Sequence, residues 1–417
     1  MNKPIQIIYF LKFFASGTIV PILSLMLLAR GATIETISLI IGLYSVTVIA
    51  AEFPSGVFAD LYGRKTSFLL SCVLYLISYS MFFFSRSAVI LLIGMVVNGL
   101  SRAFSSGSIE ALMIDHATEQ CCPLERVTAR LAILESAGLA GGALVGGLLA
   151  EVGERFSFNL GVNILITVII LFLTVLFVHE TPRIKAEHVA TTHRQLFHKQ
   201  VRESLSFAKL GGTVRILLIF FLLMGFALSA IEVYWQPALE AYQPVYWLFG
   251  AVSFGGFAFV IFGSWVAEKL LRKHPKAGVG LLLLLKAPLG LGLILFSFVR
   301  SEFSLVGFYL GLYLLIGSSN VVESTLLNQI VPSSHRASIL SLFSLVLQIG
   351  GVLASLGGFL VSTYSRYQNM WLLAGLLLFL FSIGAGVFQR RIKAKTILPE
   401  PETLADASDA ANDAPQS

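Results

Sequence analysis

Twelve stretches of this chain are apolar for long enough that each could cross a lipid bilayer. They fall at about 5–28, 34–58, 66–85, 88–114, 129–150, 158–178, 214–235, 246–267, 278–299, 303–331, 338–362 and 369–388, judged against the roughly 20 apolar residues that a spanning helix needs. Lipid offers no partner to a loose N–H or C=O, so a spanning segment must satisfy its own backbone as a helix or belong to a closed barrel. The runs are too long and continuous for the short alternating strands of a barrel. Charged residues make up 12% of the chain, against about 25% in soluble domains. The expected fold class is an all-α integral membrane protein with twelve transmembrane helices. The first run lacks a small-residue cleavage site before the second and is expected to stay as a helix.

The net charge of +6 could suggest a nucleic-acid surface, but its distribution points to topology. The termini and one alternate set of loops hold most of the lysines and arginines, including Arg64, Lys65, the run from Arg183 to Arg215, and Lys269, Arg272, Lys273 and Lys276. The other loops hold only Arg30, Arg86, Arg155, Arg300 and Arg366, and Lys12, Arg102 and Lys286 fall inside spans. The positive-inside rule then places both termini in the cytoplasm and the protein in the cytoplasmic (inner) membrane. Cys72 lies in an apolar run and Cys121 and Cys122 are adjacent. Neither a disulfide framework nor metal-ligand spacing is present, and no metal or other cofactor is expected.

The longest loop, about 179–213, divides the chain into two six-span halves: residues 1–180, a cytoplasmic linker at 181–213, and residues 214–395. Within the linker, Leu196, Phe197, Val201, Leu205 and Ala208 fall near one helical face. That stretch suits either a helix lying on the anionic leaflet or a partly ordered connector. The Pro-, Ala- and Asp-rich tail, 396–417, is expected to be disordered. The halves echo each other weakly. Gly56, Asp60, Arg64 and Lys65 have a counterpart in Glu268, Arg272 and Lys273, and the segment around Glu110 has one around Glu323. Such internal symmetry suits two parallel repeats about an axis normal to the membrane.

Between the second and third runs the chain reads Gly56-x3-Asp60-x2-Gly63-Arg64-Lys65. A glycine at position 56 permits close helix approach. An acid one turn later can meet a helix N-terminus, and the start of the eleventh run near Ser338 is the expected partner. Gly63 allows the turn, and Arg64 and Lys65 suit the headgroups. This arrangement closely resembles the loop signature of the major facilitator superfamily of secondary transporters. The resemblance covers about residues 1–395. It implies two pseudo-symmetric six-helix halves that rock about a central site, with the loop closing the cytoplasmic side in one state. It also implies a central cavity lined by the first, fourth, seventh and tenth spans, and it places the ninth span at the periphery.

Gly138, Gly142, Gly146 and Gly147 in the fifth run resemble the glycine-rich motif of the superfamily's exporters and antiporters, with Ala143 where that motif usually carries proline. Glycines at this spacing also serve plain helix packing. In the fourth run Asn98, Ser101, Arg102, Ser105 and Ser108 share one face, which suggests a water-filled cavity. Ionisable groups inside spans are costly and are functional candidates by default: Lys12, Arg102, Glu110, Glu232 and Glu323. Lys12 and Arg102 would suit an anionic group. Glu110 and Glu323 are either proton carriers or gate residues, and Glu232, before Tyr234-Trp235, has aromatic anchoring at the interface as its alternative. Asp115 and Glu135 are expected near the cytoplasmic surface, paired with Arg126 or Arg130. Lys286 is expected to snorkel from the peripheral ninth span and to stay outside the site.

No phosphate loop, metal pair or nucleophile elbow is present, so ATP drive and enzyme chemistry find no support. The expected function is alternating-access transport, with proton-coupled export of a small organic compound preferred. Transport of one specific metabolite is the second reading, and a membrane sensor that moves nothing is the third. The expected partners are a small-molecule substrate, protons and the bilayer, not nucleic acid, and the fold needs no second copy.

Overall fold

The computed structural model describes residues 3–106, 108–119, 124–180, 212–273, 278–330 and 336–396. The expectations for the linker face from Leu196 to Ala208 and for the tail lie outside these residues. Among the described residues, twelve helices are long and apolar enough to cross a membrane. They are α1 (Lys3–Ala29), α2 (Ile34–Tyr62), α3 (Arg64–Phe84), α4 (Ala88–Ile114), α5 (Arg126–Leu149), α6 (Glu154–Phe177), α7 (Gly212–Glu240), α8 (Trp247–Lys273), α9 (Gly278–Phe296), α10 (Glu302–Gln329), α11 (Leu342–Tyr364) and α12 (Asn369–Gln389). Alternate helices run in opposite directions, so both chain ends lie on one side, here called the terminal side; the opposite side is the far side.

Two helices are interrupted for local reasons. In α1 a short 3-10 turn, Val20–Ile22, contains Pro21, which has no N–H to give to the helix ladder. In α4 the α-helix Ala88–Ser105 ends with Ser106 at its C-cap, and a second helix begins at Ser108. The fourth run is therefore broken beside its polar face and is not the continuous span its composition suggests. By contrast α2 starts cleanly: Thr33 and Thr36 cap each other reciprocally, satisfying two N–H groups that a helix start leaves open.

The halves α1–α6 and α7–α12 are built alike. In the first, α5 lies against α1 with Gly138, Gly142 and Gly146 facing the backbone at Phe10, Phe14 and Thr18. In the second, α11 lies against α7 with Gly350 at Leu222 and Gly225 at Leu347. A side chain at any of these positions would strike main chain, so small residues set how closely the helices approach. Asn159 and Asn163 of α6 fasten the first seam, donating to Gly146 O at 2.8 Å and Ala15 O at 2.6 Å. The glycine-rich motif of α5 is thus, in geometry, a packing ridge.

Between the halves, α2 packs on α11 and α5 on α8. Gly147 meets Gly250 backbone to backbone, and Gly42 and Gly358 face Ser355 and Ser38. Among the described residues, the cross-half hydrogen bonds gather toward the far side. Ser24 N–H donates to Gln236 Oε1 (2.8 Å), Ser24 Oγ to Val233 O (2.9 Å), and Gln236 Nε2 to Val20 O (2.8 Å). The Tyr234 hydroxyl bonds Ser38 of α2 and, at 3.0 Å, Ser362 of α11. At the rim, Trp247 N–H donates to Glu151 (3.0 Å) and Phe156 sets its ring edge-on to Tyr246. These contacts close the far side.

Candidate transport cavity and gating loop

A cavity of about 460 Å³ opens among the helices of the first half. Its polar wall includes Lys12 from α1, Tyr44 from α2, Tyr75 and Tyr79 from α3, Asn98, Ser101, Arg102 and Ser105 from α4, Glu135 from α5 and Thr167 from α6. The α4 polar face does line a cavity, apart from Ser108. That residue turns to α3, with its hydroxyl at 3.3 Å from Ser67 Oγ. No residue of α7 or α10 contributes to the wall. This cavity is lined by one half alone: α1 and α4 contribute to it as expected, whereas α7, which packs on the end of α1 and on α2, and α10 do not.

Lys12 is the most constrained group in this wall. Its Nζ lies 3.7 Å from Glu110 Oε1 and over the rings of Phe13 (5.1 Å) and Tyr9 (5.9 Å). It makes no hydrogen bond among the described residues. The Tyr9 hydroxyl donates to Glu135 Oε2 at 3.4 Å. Glu135 thus faces the cavity instead of pairing with Arg126 or Arg130 near the surface; Arg130 donates to Gln6 at 3.1 Å. The side chain of Asp115 lies outside the described residues.

The remaining acids are set apart from the cavity. Glu323 pairs with Lys286 at 2.9 Å, with side-chain exposures of 4% and 0%. This corrects two expectations: Lys286 does not snorkel, and Glu323 does not face the cavity. Depth along α9 alone suggested snorkelling, but α10 supplies a carboxylate at the same level and removes the need for it. Glu232 sits in α7 beside Trp235 and near Tyr309, and is not part of the cavity wall. Tyr234 and Trp235 are each only 1% exposed, so they are core residues and not interfacial anchors.

The gating loop is a one-residue link. Gly63 adopts φ 95°, ψ 151° between α2 and α3, a region that essentially only glycine occupies. Glu180, just past α6, accepts from the backbone N–H of Arg64 (2.8 Å) and of Lys65 (2.8 Å), so a carboxylate caps the positive end of α3. Lys65 Nζ also reaches Val175 O at 3.1 Å. No local signal in the sequence joins Glu180 to this loop. Gly56 faces open space among the described residues, so the close approach expected there is not made in this conformation. Asp60 is exposed, and the side chains near Ser338, its expected partner ahead of α11, lie outside the described residues.

Fold, loop and cavity together define a polytopic secondary transporter. The family model of the Major Facilitator Superfamily matches residues 5–355, and the chain belongs to that family. It is 27% identical over 361 residues to the MFS-type transporter YxaM of Bacillus subtilis strain 168, covering 82% of this chain and 85% of that protein. It is 24% identical over 161 residues to the quinolone resistance protein NorA of Staphylococcus aureus, covering 38% and 41%. Among solved structures, the nucleoside transporter NupG superposes with a TM-score of 0.76 over 93% of this chain and 99% of that one, at 14% identity.

Proposed function

We propose that this protein exports a small organic compound in exchange for protons, by alternating access, with the first-half cavity as its binding site. The observation that carries the reading is a charged cavity lying beneath a far-side seal made of single side-chain bonds. The skew of Lys and Arg toward the terminal side supports both termini lying on the cytoplasmic face of a bacterial inner membrane. The far side is then external, and the cavity is poised to load from within. In the opposite state the seal parts and the loop of Gly56, Asp60, Gly63, Arg64 and Lys65 closes the cytoplasmic side against α11.

Each intramembrane acid has a part in this reading. Glu110 stands against Lys12 and Glu323 against Lys286, so each acid already has a cation as its partner. Glu232 forms no ion pair among the described residues and lies within the seal segment of α7. It is assigned as the group that takes a proton when the far side opens. The likeness to NorA favours export. The cationic wall of Lys12 and Arg102 favours, as the second reading, transport of one anionic metabolite in either direction.

Mass spectrometry of medium and cells from deletion, native and overexpressing strains tests the direction. A compound that accumulates outside as expression rises is expected; one that disappears from the medium reverses the assignment. Addition of that compound to everted vesicles should collapse an imposed proton gradient in wild type but not in Glu232→Gln.

A further inference from the structure

Two cations line the same cavity. Lys12 and Arg102 come from different helices, yet each lies within electrostatic reach of the other. Like charges repel, so this placement favours an anion between them. The local acids Glu110 and Glu135 offset part of this charge but give Lys12 no hydrogen bond. Glu110 approaches Lys12 only to 3.7 Å, beyond hydrogen-bond length, and Glu135 is bonded by Tyr9. Lys12 Nζ is buried and makes no hydrogen bond among the described residues.

Among aliphatic and small polar residues, the wall also carries aromatic rings. Tyr75 and Tyr79 stack at 4.2 Å with their planes 19° apart, and Tyr44 stands beside Arg102 as a hydrogen-bond neighbour. A guanidinium presents a planar fork, which matches a planar oxyanion better than a point charge does. The volume of about 460 Å³ lies in the lower part of the roughly 300–1,000 Å³ range of small-molecule sites.

We propose that the transported compound is a small aromatic carboxylate, its acid group between Lys12 and Arg102 and its one or two rings against Tyr44, Tyr75 and Tyr79. This rests on the reading of the first-half cavity as the binding site. The test uses the full chain in nanodiscs and three ligands of one shape, 1-naphthoate, 1-naphthamide and 1-naphthylmethylamine, with affinities from calorimetry. Naphthoate should bind about tenfold or more tightly than naphthamide, as a charge-assisted bond implies. In Arg102→Gln and Lys12→Gln the preference should fall to about twofold while naphthamide affinity holds, which also shows that the variants fold. Equal or tighter binding of the amide or amine overturns the anionic class and leaves the cavity reading standing. A carboxylate preference that persists in both variants overturns the placement. Binding of none of the three overturns the proposal and counts against the cavity as the site.

Discussion

Lys286 of α9 and Glu323 of α10 lie 2.9 Å apart with both side chains sealed from solvent. Neither Lys286 Nζ nor Glu323 Oε1 makes a hydrogen bond to another group among the described residues, so each charge depends on the other. Removing one partner of a buried pair costs about 3–5 kcal/mol, because it strands the other, whereas replacing both by apolar groups of similar volume is often neutral. Glu323→Gln and Lys286→Met should each lower the melting temperature markedly, and Lys286→Met/Glu323→Leu should recover most of the loss. Single variants that melt with wild type would show the pair to be energetically idle.

The far-side seal offers a second measurement. The Tyr234 hydroxyl sits between Ser38 and Ser362, on three different helices. Tyr234→Phe removes these bonds without changing packing and should cost the closed state about 1 kcal/mol. That shifts the balance between states about fivefold toward an open far side. Spin labels at Ser87 and Ser301 would report a larger long-distance population; an unchanged distribution would mean that the seal does not depend on this hydroxyl.

Neighbouring glycines of α5 should fail differently. Gly146 faces Thr18 within the first half, and Gly147 faces Gly250 across the halves. Gly146→Val should prevent α5 from seating on α1 and abolish stable expression. Gly147→Val should leave a folded protein that cannot close its far side, with transport lost and monodisperse behaviour retained. Equal yields of transport-competent protein from both variants would contradict this division.

The gating loop separates stability from switching. Gly63→Ala forces alanine to φ 95° and against the Glu180 carboxylate, at about 1–3 kcal/mol for the strain alone. Glu180→Gln weakens the cap on α3 by about 1 kcal/mol. Asp60→Asn should instead leave thermal stability near wild type and reduce flux severalfold. Full flux in Asp60→Asn would remove that residue from the gate.

Much of this architecture was legible because membrane helices announce themselves by length. The third run, read at about 66–85, is α3, Arg64–Phe84, and the twelfth, read at about 369–388, is α12, Asn369–Gln389. The Gly63 turn was legible because its cause is local. What escaped the sequence depends on which helix lies beside which. Lys286 reads as a snorkelling base until α10 is set against it, Glu135 reads as a surface acid until Tyr9 faces it, and nothing near Gly63 announces Glu180. That this cavity is lined by one half alone depends on how the helices pack, which residue type along a helix does not encode.

The sealed pair of α9 and α10 also bears on how the chain is made. Ribosomes deliver α9 first, and its lysine reaches the membrane with no acid to meet. A lone lysine at the centre of a helix costs about 2.5–3.5 kcal/mol on insertion scales, a burden that lasts until the following helix emerges. We therefore expect the two helices to enter lipid as a hairpin. Nascent chains truncated before Glu302 should leave α9 extractable by alkaline carbonate, while chains that include Glu323 should hold it fast.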